Sequence, residues 1–375
     1  MLRIADPCIL QLCHGYDGPF LDCARQYAAL FNDTPYRVVT VFLTGPPDES
    51  AKCGCASDEV LFLNYRSRDL RGLKLAAIRG LKQIVRRYNT RLIIAHRFKP
   101  TYIALLATRL PVIGVNHAFG VYARLSRRLL ANVYRRRLCL LGISHAVTDD
   151  LRDSLPGWSA DRIETLYNRI DIETVQSEQL DRDAALAALG LPMNTWVVGN
   201  VGRLHPDKDQ ATLIRGFSLA LPHLPEGSLL VIMGSGPLAG SLEQLASELG
   251  VAEKVRFLGQ VPFGRRYFKA FNVFALTSDH EPFGMVLLEA MAAGVPVICS
   301  DCGGGREVVS GVGSLFPLGD ARSLSLCLIE AVDHYGAVAS EIRESMLLRL
   351  SANYSDEAAK VKFWSLRCTA NFKCS

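Results

Sequence analysis

The chain has 375 residues and is 49% apolar, long enough for two domains with a core each. No apolar run approaches the roughly 18 residues of a membrane span, and the start has no basic stretch followed by an apolar block, so neither a membrane helix nor a secretory leader is expected. The formal charge of +5 is unevenly spread: residues 1–175 hold 25 Lys/Arg against 16 Asp/Glu, the remainder 17 against 21, and residues 60–148 hold 18 bases with Asp69 as their one acid, a block that attracts anionic surfaces.

In chain order, short apolar runs alternate with helical patterns. Leu10 to Cys13, Val38 to Leu43, Val60 to Leu63, Leu92 to Ala95, Val112 to Val115 and Cys139 to Ile143 read as strands, with helices such as Pro19 to Phe31 and Leu70 to Tyr88 between them. The second half repeats the theme with Trp196 to Val201, Leu229 to Met233, Val255 to Leu258, Val273 to Leu276 and Val295 to Cys299. Alternation of this kind predicts two α/β domains, each a Rossmann-like doubly wound parallel sheet, facing across a cleft that is the natural ligand site. The expected domains are 1–175 and 176–354, and Ser355 to Cys368 reads as a last helix.

Eleven cysteines scattered through apolar segments argue for a reducing compartment, with the cytoplasm as the expected location. The close pairs Cys53/Cys55 and Cys299/Cys302 have no flanking histidine at metal-site distance, so they read as loop or core residues and no metal is expected.

The densest chemistry lies at Glu281-Pro282-Phe283-Gly284-Met285, followed by Glu289. Pro282 suits the first turn of a helix. Free N–H groups at Phe283, Gly284 and Met285, with the helix dipole, would favour an anion there. A diphosphate so placed leaves Glu289 to accept hydrogen bonds from vicinal hydroxyls such as those of a ribose. The bland alternative is a solvated helix with an acid near its start.

Upstream, Gly202-Arg203 and Lys208 follow a strand and offer a forked donor and a point charge suited to a diphosphate. Gly234-Ser235-Gly236 after Met233 is a near miss of the dinucleotide fingerprint. Gly303-Gly304-Gly305 reads as a backbone turn. In the first half, His14-Gly15 joins a strand to a helix, and His117 follows the strand ending at Val115. The segment Arg124 to Arg137 places Leu125, Leu129 and Val133 on one stripe among arginines. That form suits an anionic membrane face, an apolar stripe packed into the domain, or both on different faces.

Together these stretches closely resemble the Glu-x7-Glu signature and accompanying loops of the retaining GT-B glycosyltransferases of the large family 4 type. The resemblance implies that Glu289 binds the nucleotide ribose and that Glu281 lies near the donor sugar. It implies that Arg203 and Lys208, after Gly202, hold the leaving diphosphate. Gly234 and Gly236 would let the backbone approach the nucleotide, the turn at Gly259 would meet the base through main-chain groups, Gly15 would lie in the glycine-rich first loop, and His117 would contact the sugar. It also implies a final helix that returns to the first domain. Arg169 departs from the pattern, which has glycine there.

The expected activity is therefore transfer of a hexose from a nucleotide sugar, UDP-linked, with retention, to a lipopolysaccharide-core or other anionic glycan or lipid-linked acceptor at the inner leaflet. No metal-binding Asp-x-Asp is expected, so no metal or other cofactor is required. A sugar-nucleotide epimerase and a non-catalytic glycan- or lipid-binding protein are the alternatives. Nucleic acid is not an expected partner, since no nucleic-acid-binding pattern accompanies the basic block.

Overall fold

The computed structural model describes residues 6–337 and 339–372. Its chain divides into two compact units, one running to Asn168 and resuming at Asp356, the other Arg169–Ser355. The first holds β1 (Pro7–Cys13), β2 (Arg37–Phe42), β3 (Glu59–Phe62), β4 (Asn89–His96), β5 (Val112–Asn116), β6 (Leu138–Gly142) and β7 (Ile163–Thr165), in the order β3-β2-β1-β4-β5-β6-β7. The second holds β8 (Val197–Val201), β9 (Leu229–Met233), β10 (Val255–Gly259), β11 (Val273–Leu276), β12 (Val297–Ser300) and β13 (Ser314–Phe316), in the order β10-β9-β8-β11-β12-β13.

All pairings are parallel. Strands of such sheets are covered on both faces, which is why they read as unbroken apolar runs. In the second unit Val198, Ile232, Val273 and Ile298 of the sheet pack with Leu213, Phe217 and Leu324 of the covering helices. The strand order reverses between β1 and β4 in one sheet and between β8 and β11 in the other. Ligands of doubly wound sheets bind outside the strand C-termini at such a reversal, and the chemistry-bearing loops leave the sheets there.

The helix expected over Ser355 to Cys368 runs Asp356–Ser365, followed by a 3-10 stretch Arg367–Phe372. It packs within the first unit. Arg25 Nη1 lies 2.8 Å from Asp356 Oδ2, Trp364 Nε1 donates to the Leu30 carbonyl at 3.0 Å, and the Phe31 and Phe363 rings meet edge-on at 5.5 Å. Arg169 is fully buried and does not adopt a positive φ, so the position needs no glycine conformation.

The helix Leu125–Tyr134 corrects one expectation. Its apolar stripe does not pack into the domain: Leu125, Leu129 and Val133 are 69%, 57% and 74% exposed, and Ala131 is the buried residue. Two of its arginines turn inward instead, Arg127 Nη1 donating to the Val121 carbonyl at 2.7 Å and Arg128 Nε to the Tyr122 carbonyl at 2.9 Å. Their forked heads satisfy carbonyls of the preceding loop, which leaves the leucines outside. No helix among the described residues is long and apolar enough to cross a membrane.

Candidate active site

At the reversal of the second sheet, the loop after β8 meets the loop after β11. Lys208 Nζ lies 2.7 Å from Glu281 Oε2, with the two side chains 17% and 10% exposed. Ser278 Oγ donates to the same carboxylate oxygen at 3.2 Å. A buried charge needs such partners, and this one has a cation and a hydroxyl. The Thr277 hydroxyl holds the Lys208 carbonyl at 2.9 Å, and the Asp279 N–H reaches the Asp207 carbonyl at 3.1 Å, so each loop fixes the other.

The first of these loops is anchored further back. Buried Gln210 donates from Nε2 to the Arg203 carbonyl at 3.0 Å, and the Leu204 N–H reaches the Ser235 carbonyl at 3.0 Å. A β-carbon on Gly234 would lie 1.8 Å from the Gly202 carbonyl oxygen, and one on Gly236 2.2 Å from that of Leu204. These glycines admit the neighbouring loop, a demand that comes from the protein's own backbone. The Gly234 N–H in turn donates to the Gly259 carbonyl at 2.7 Å, joining the ends of β8, β9 and β10 into one rim. Arg203 stands on that rim with its side chain 72% exposed and 3.5 Å from Asp207. Asp207 also contacts His205 Nδ1. Burial opposes ionisation of Asp207, but His205, Lys208 and Arg203 around it hold its carboxyl below the usual range.

The helix that carries Glu289 begins later than the sequence suggests. It spans Met285–Ala292, capped by Gly284 in the left-handed region at φ 92°. Glu281, Pro282 and Phe283 precede it, because Glu281 is drawn toward Lys208. The Phe283 N–H points at Glu281 Oε1, 3.5 Å away, and its ring is buried against Tyr354. The anion-favouring N-terminus is therefore that of Met285 and its successors, and the Phe283 amide is turned toward Glu281. Glu289, one turn into the helix, is half-buried. The glycines expected to form a turn are the first turn of a helix, Gly303–Val309: the Gly304 N–H donates to the Glu281 carbonyl at 2.8 Å, and a β-carbon there would lie 2.3 Å from the Pro282 carbonyl. Their role at the site is to seat the Glu281 segment.

Two family models match the chain, Glycosyltransferase Family 4 over residues 28–174 and Glycosyl transferases group 1 over residues 181–341. The D-inositol 3-phosphate glycosyltransferase of Nocardia farcinica is 35% identical over 158 residues, 40% of this chain and 35% of that protein. The match thus spans 35–40% of the length of these curated relatives. Over the whole fold, a glycosyltransferase from Rickettsia africae ESF-5 superposes with a TM-score of 0.83 at 16% identity, covering 99% of this chain and 100% of that one. Anabaena HepE in complex with UDP gives 0.75 at 22% identity, covering 96% and 98%. The chain has the GT-B fold of the group 1 glycosyltransferases.

In this GT-B chain the first unit brings its own polar groups to the end of its sheet. Gly15 is buried, and a β-carbon on it would lie 2.8 Å from Thr44 Oγ1, so its glycine is explained by packing against the loop after β2. His117 has a neighbour at each ring nitrogen: Nε2 is 3.3 Å from His96 Nδ1, and Nδ1 is 4.0 Å from Cys23 Sγ. His96 Nε2 in turn meets Gln11 Oε1 at 2.9 Å. Burial, with Arg97 adding to it, pushes the His117 imidazole down to about 4, and burial with His117 alongside pushes His96 down as well. Both rings are neutral at physiological pH.

Sequence reasoning missed Ser278, Gln210, Gln11 and His96. Ser278 and His96 each sit at or just beyond the end of a strand that the apolar pattern does locate, and that position was the available signal. Gln11 is a polar residue inside an apolar strand, a second usable sign.

Proposed function

We propose that the chain is a glycosyltransferase that moves a hexose from a UDP-linked donor, with retention, to an anionic glycan or lipid-linked acceptor of the lipopolysaccharide-core kind. The observation that carries this reading is the buried Lys208–Glu281 pair at the β8/β11 reversal, with Arg203 on the same loop and the Glu289 helix starting four residues after Glu281. In this reading Arg203 exchanges its loose contact with Asp207 for the diphosphate, and Lys208 adds a second positive charge as the leaving group departs. Glu281 meets the sugar hydroxyls and Glu289 the ribose. Positioning and leaving-group stabilisation supply the catalysis, with these two cations in the place a divalent ion would otherwise fill. HepE, solved with UDP and with UDP-glucose, supports the choice of uridine nucleotide.

The protein would work in the cytoplasm at the inner leaflet. The outward stripe of Leu125, Leu129 and Val133 beside Arg124, Arg135 and Arg136 supports docking on anionic lipid. Calorimetry with UDP, GDP and ADP tests the donor. UDP binding is expected, weakened by about 1–3 kcal/mol in Glu289→Ala, the range for a charged hydrogen-bonding partner. Unchanged affinity in that variant would remove Glu289 from the site. Transfer assays with a panel of UDP-sugars, with and without acceptor, separate a transferase from an epimerase and from a binding protein.

A further inference from the structure

A cavity of about 340 Å³ opens in the first unit, where β1, β4 and β5 end. Its lining includes His14, Arg97, Lys99, His117 and Arg127, and no carboxylate. Arg97, Lys99 and Arg127 form no ion pair among the described residues. Asp150 is not a lining residue, and its carboxylate accepts the N–H of Gly120, which is one, at 2.9 Å. Cations gathered around a concavity with no carboxylate among its lining residues repel one another, so the arrangement is stabilised when an anion enters.

The two guanidinium groups are held in place by stacking. Arg97 lies 4.3 Å over the Phe20 ring and Arg127 4.6 Å over Phe98, which orients their planes; Arg127 spends Nη1 on the Val121 carbonyl and keeps its remaining N–H donors. Arg97 has φ 76°, a conformation seldom adopted by a residue of its kind, and it precedes the helix Phe98–Ala107, whose start no side chain caps. At the end of β1, His14 Nδ1 is buried with no hydrogen-bond partner among the described residues. Burial, then Lys99 and Arg97, depress the protonation of that ring. Two forks, an ammonium group and an uncapped helix start line one space, with the orphaned His14 nitrogen enclosed in its wall.

We infer that this cavity binds the phosphate group of the acceptor, a tetrahedral dianion gripped by Arg97, Arg127 and Lys99 with His14 beneath it. Two forked donors match a tetrahedral oxyanion with several oxygens on offer. The inference rests on the transferase reading only for the word acceptor; phosphate binding at this place stands or falls by itself. The phosphate can belong to a soluble sugar or polyol phosphate or to a lipid headgroup.

The test follows the His14 ring by NMR in the full-length protein carrying ¹³C-labelled histidine, assigned with His14→Gln. Inorganic phosphate and glycerol 3-phosphate are titrated at constant ionic strength in chloride. Binding is expected to move the His14 resonance saturably toward the protonated form, since the anion offsets Lys99 and Arg97. In Lys99→Gln, and further in K99Q/R127Q, half-saturation should require at least about ten-fold more phosphate, the loss expected for a charge-assisted contact. Arg203→Gln should leave the His14 response intact, which separates this site from the donor site.

A response in glycerol 3-phosphate supports a soluble phosphate. A response only in vesicles containing phosphatidic acid, and not in pure phosphatidylcholine, supports a headgroup. No response at His14, an equal response to chloride, or one unchanged in K99Q/R127Q overturns the site. UDP calorimetry on K99Q/R127Q completes the separation: retained UDP binding with lost phosphate binding supports two distinct sites, whereas loss of both in a folded protein overturns the proposed independence.

Discussion

Lys208 and Glu281 are 73 positions apart, and each residue makes the other tolerable. A carboxylate at 10% exposure is stable because an ammonium group lies 2.7 Å away, and removing either partner leaves a buried charge alone. Lys208→Met is therefore expected to destabilise the second unit by about 3–5 kcal/mol, while K208M/E281Q loses much less than the sum of the two single changes. Denaturant unfolding of the four proteins measures the coupling, and strict additivity would contradict it. The histidine pair yields a pH dependence. His117, facing His96, Cys23 and Arg97, has its proton affinity lowered in the folded state, so between pH 6.5 and about 4 the unfolded chain binds a proton that the native one refuses. Stability is thus complete above the unfolded value and falls with acidification, by up to about 2 kcal/mol on this account between pH 7 and 5. Thermal melts of His117→Asn across that range should show a shallower decline than the parent protein, with His96 supplying the rest. A decline equally steep in both would show that the folded His117 is not depressed. Neither pair is visible locally in the sequence, because both depend on which strands become neighbours.

At the scale of elements, the helix Leu125–Tyr134 presents three large apolar side chains to solvent at spacings of four residues, with arginines beside them. Replacing Leu125, Leu129 and Val133 together by Asp should leave the melting temperature nearly unchanged, because the stripe is exposed. Flotation with phosphatidylglycerol vesicles should fall by ten-fold or more, since both apolar insertion and net positive charge are lost. Retained flotation would assign lipid binding elsewhere or to charge alone. The sequence located this helix but not the direction of its stripe, since helical periodicity shows that one face is apolar without showing what covers it. Strands were easier to read. Those inside a sheet carry a mostly apolar run, whereas β7 and β13 are three-residue edge strands containing half-buried Glu164, Ser314 and Leu315, too short and mixed to stand out. The start of the Met285 helix was misplaced because Pro282 imitates a first-turn proline. The deciding event, a left-handed Gly284 after a segment anchored by Glu281, depends on the tertiary contact with Lys208.

For the whole molecule, the chain leaves the first unit after Asn168 and returns to it at Asp356, so the last helix completes a domain whose other residues were made far earlier. Its contribution is concrete. Phe363 is fully buried and Phe31 nearly so, the Trp364 indole donates to the Leu30 carbonyl, and Asp356 pairs with Arg25. Burying an aromatic of this size is worth several kcal/mol, so a chain ending at Ser355 should lose stability in the first unit alone. The second unit keeps its sheet, its Lys208–Glu281 pair and its loops. Calorimetric unfolding of the shortened chain should therefore separate into a lowered transition and one near its parent temperature, and UDP should raise only the latter, as a ligand raises the stability of the state that binds it. A single lowered transition shifted as a whole by UDP would mean that the units unfold together. In that case the last helix would stabilise both, and the cooperative unit would be the entire chain.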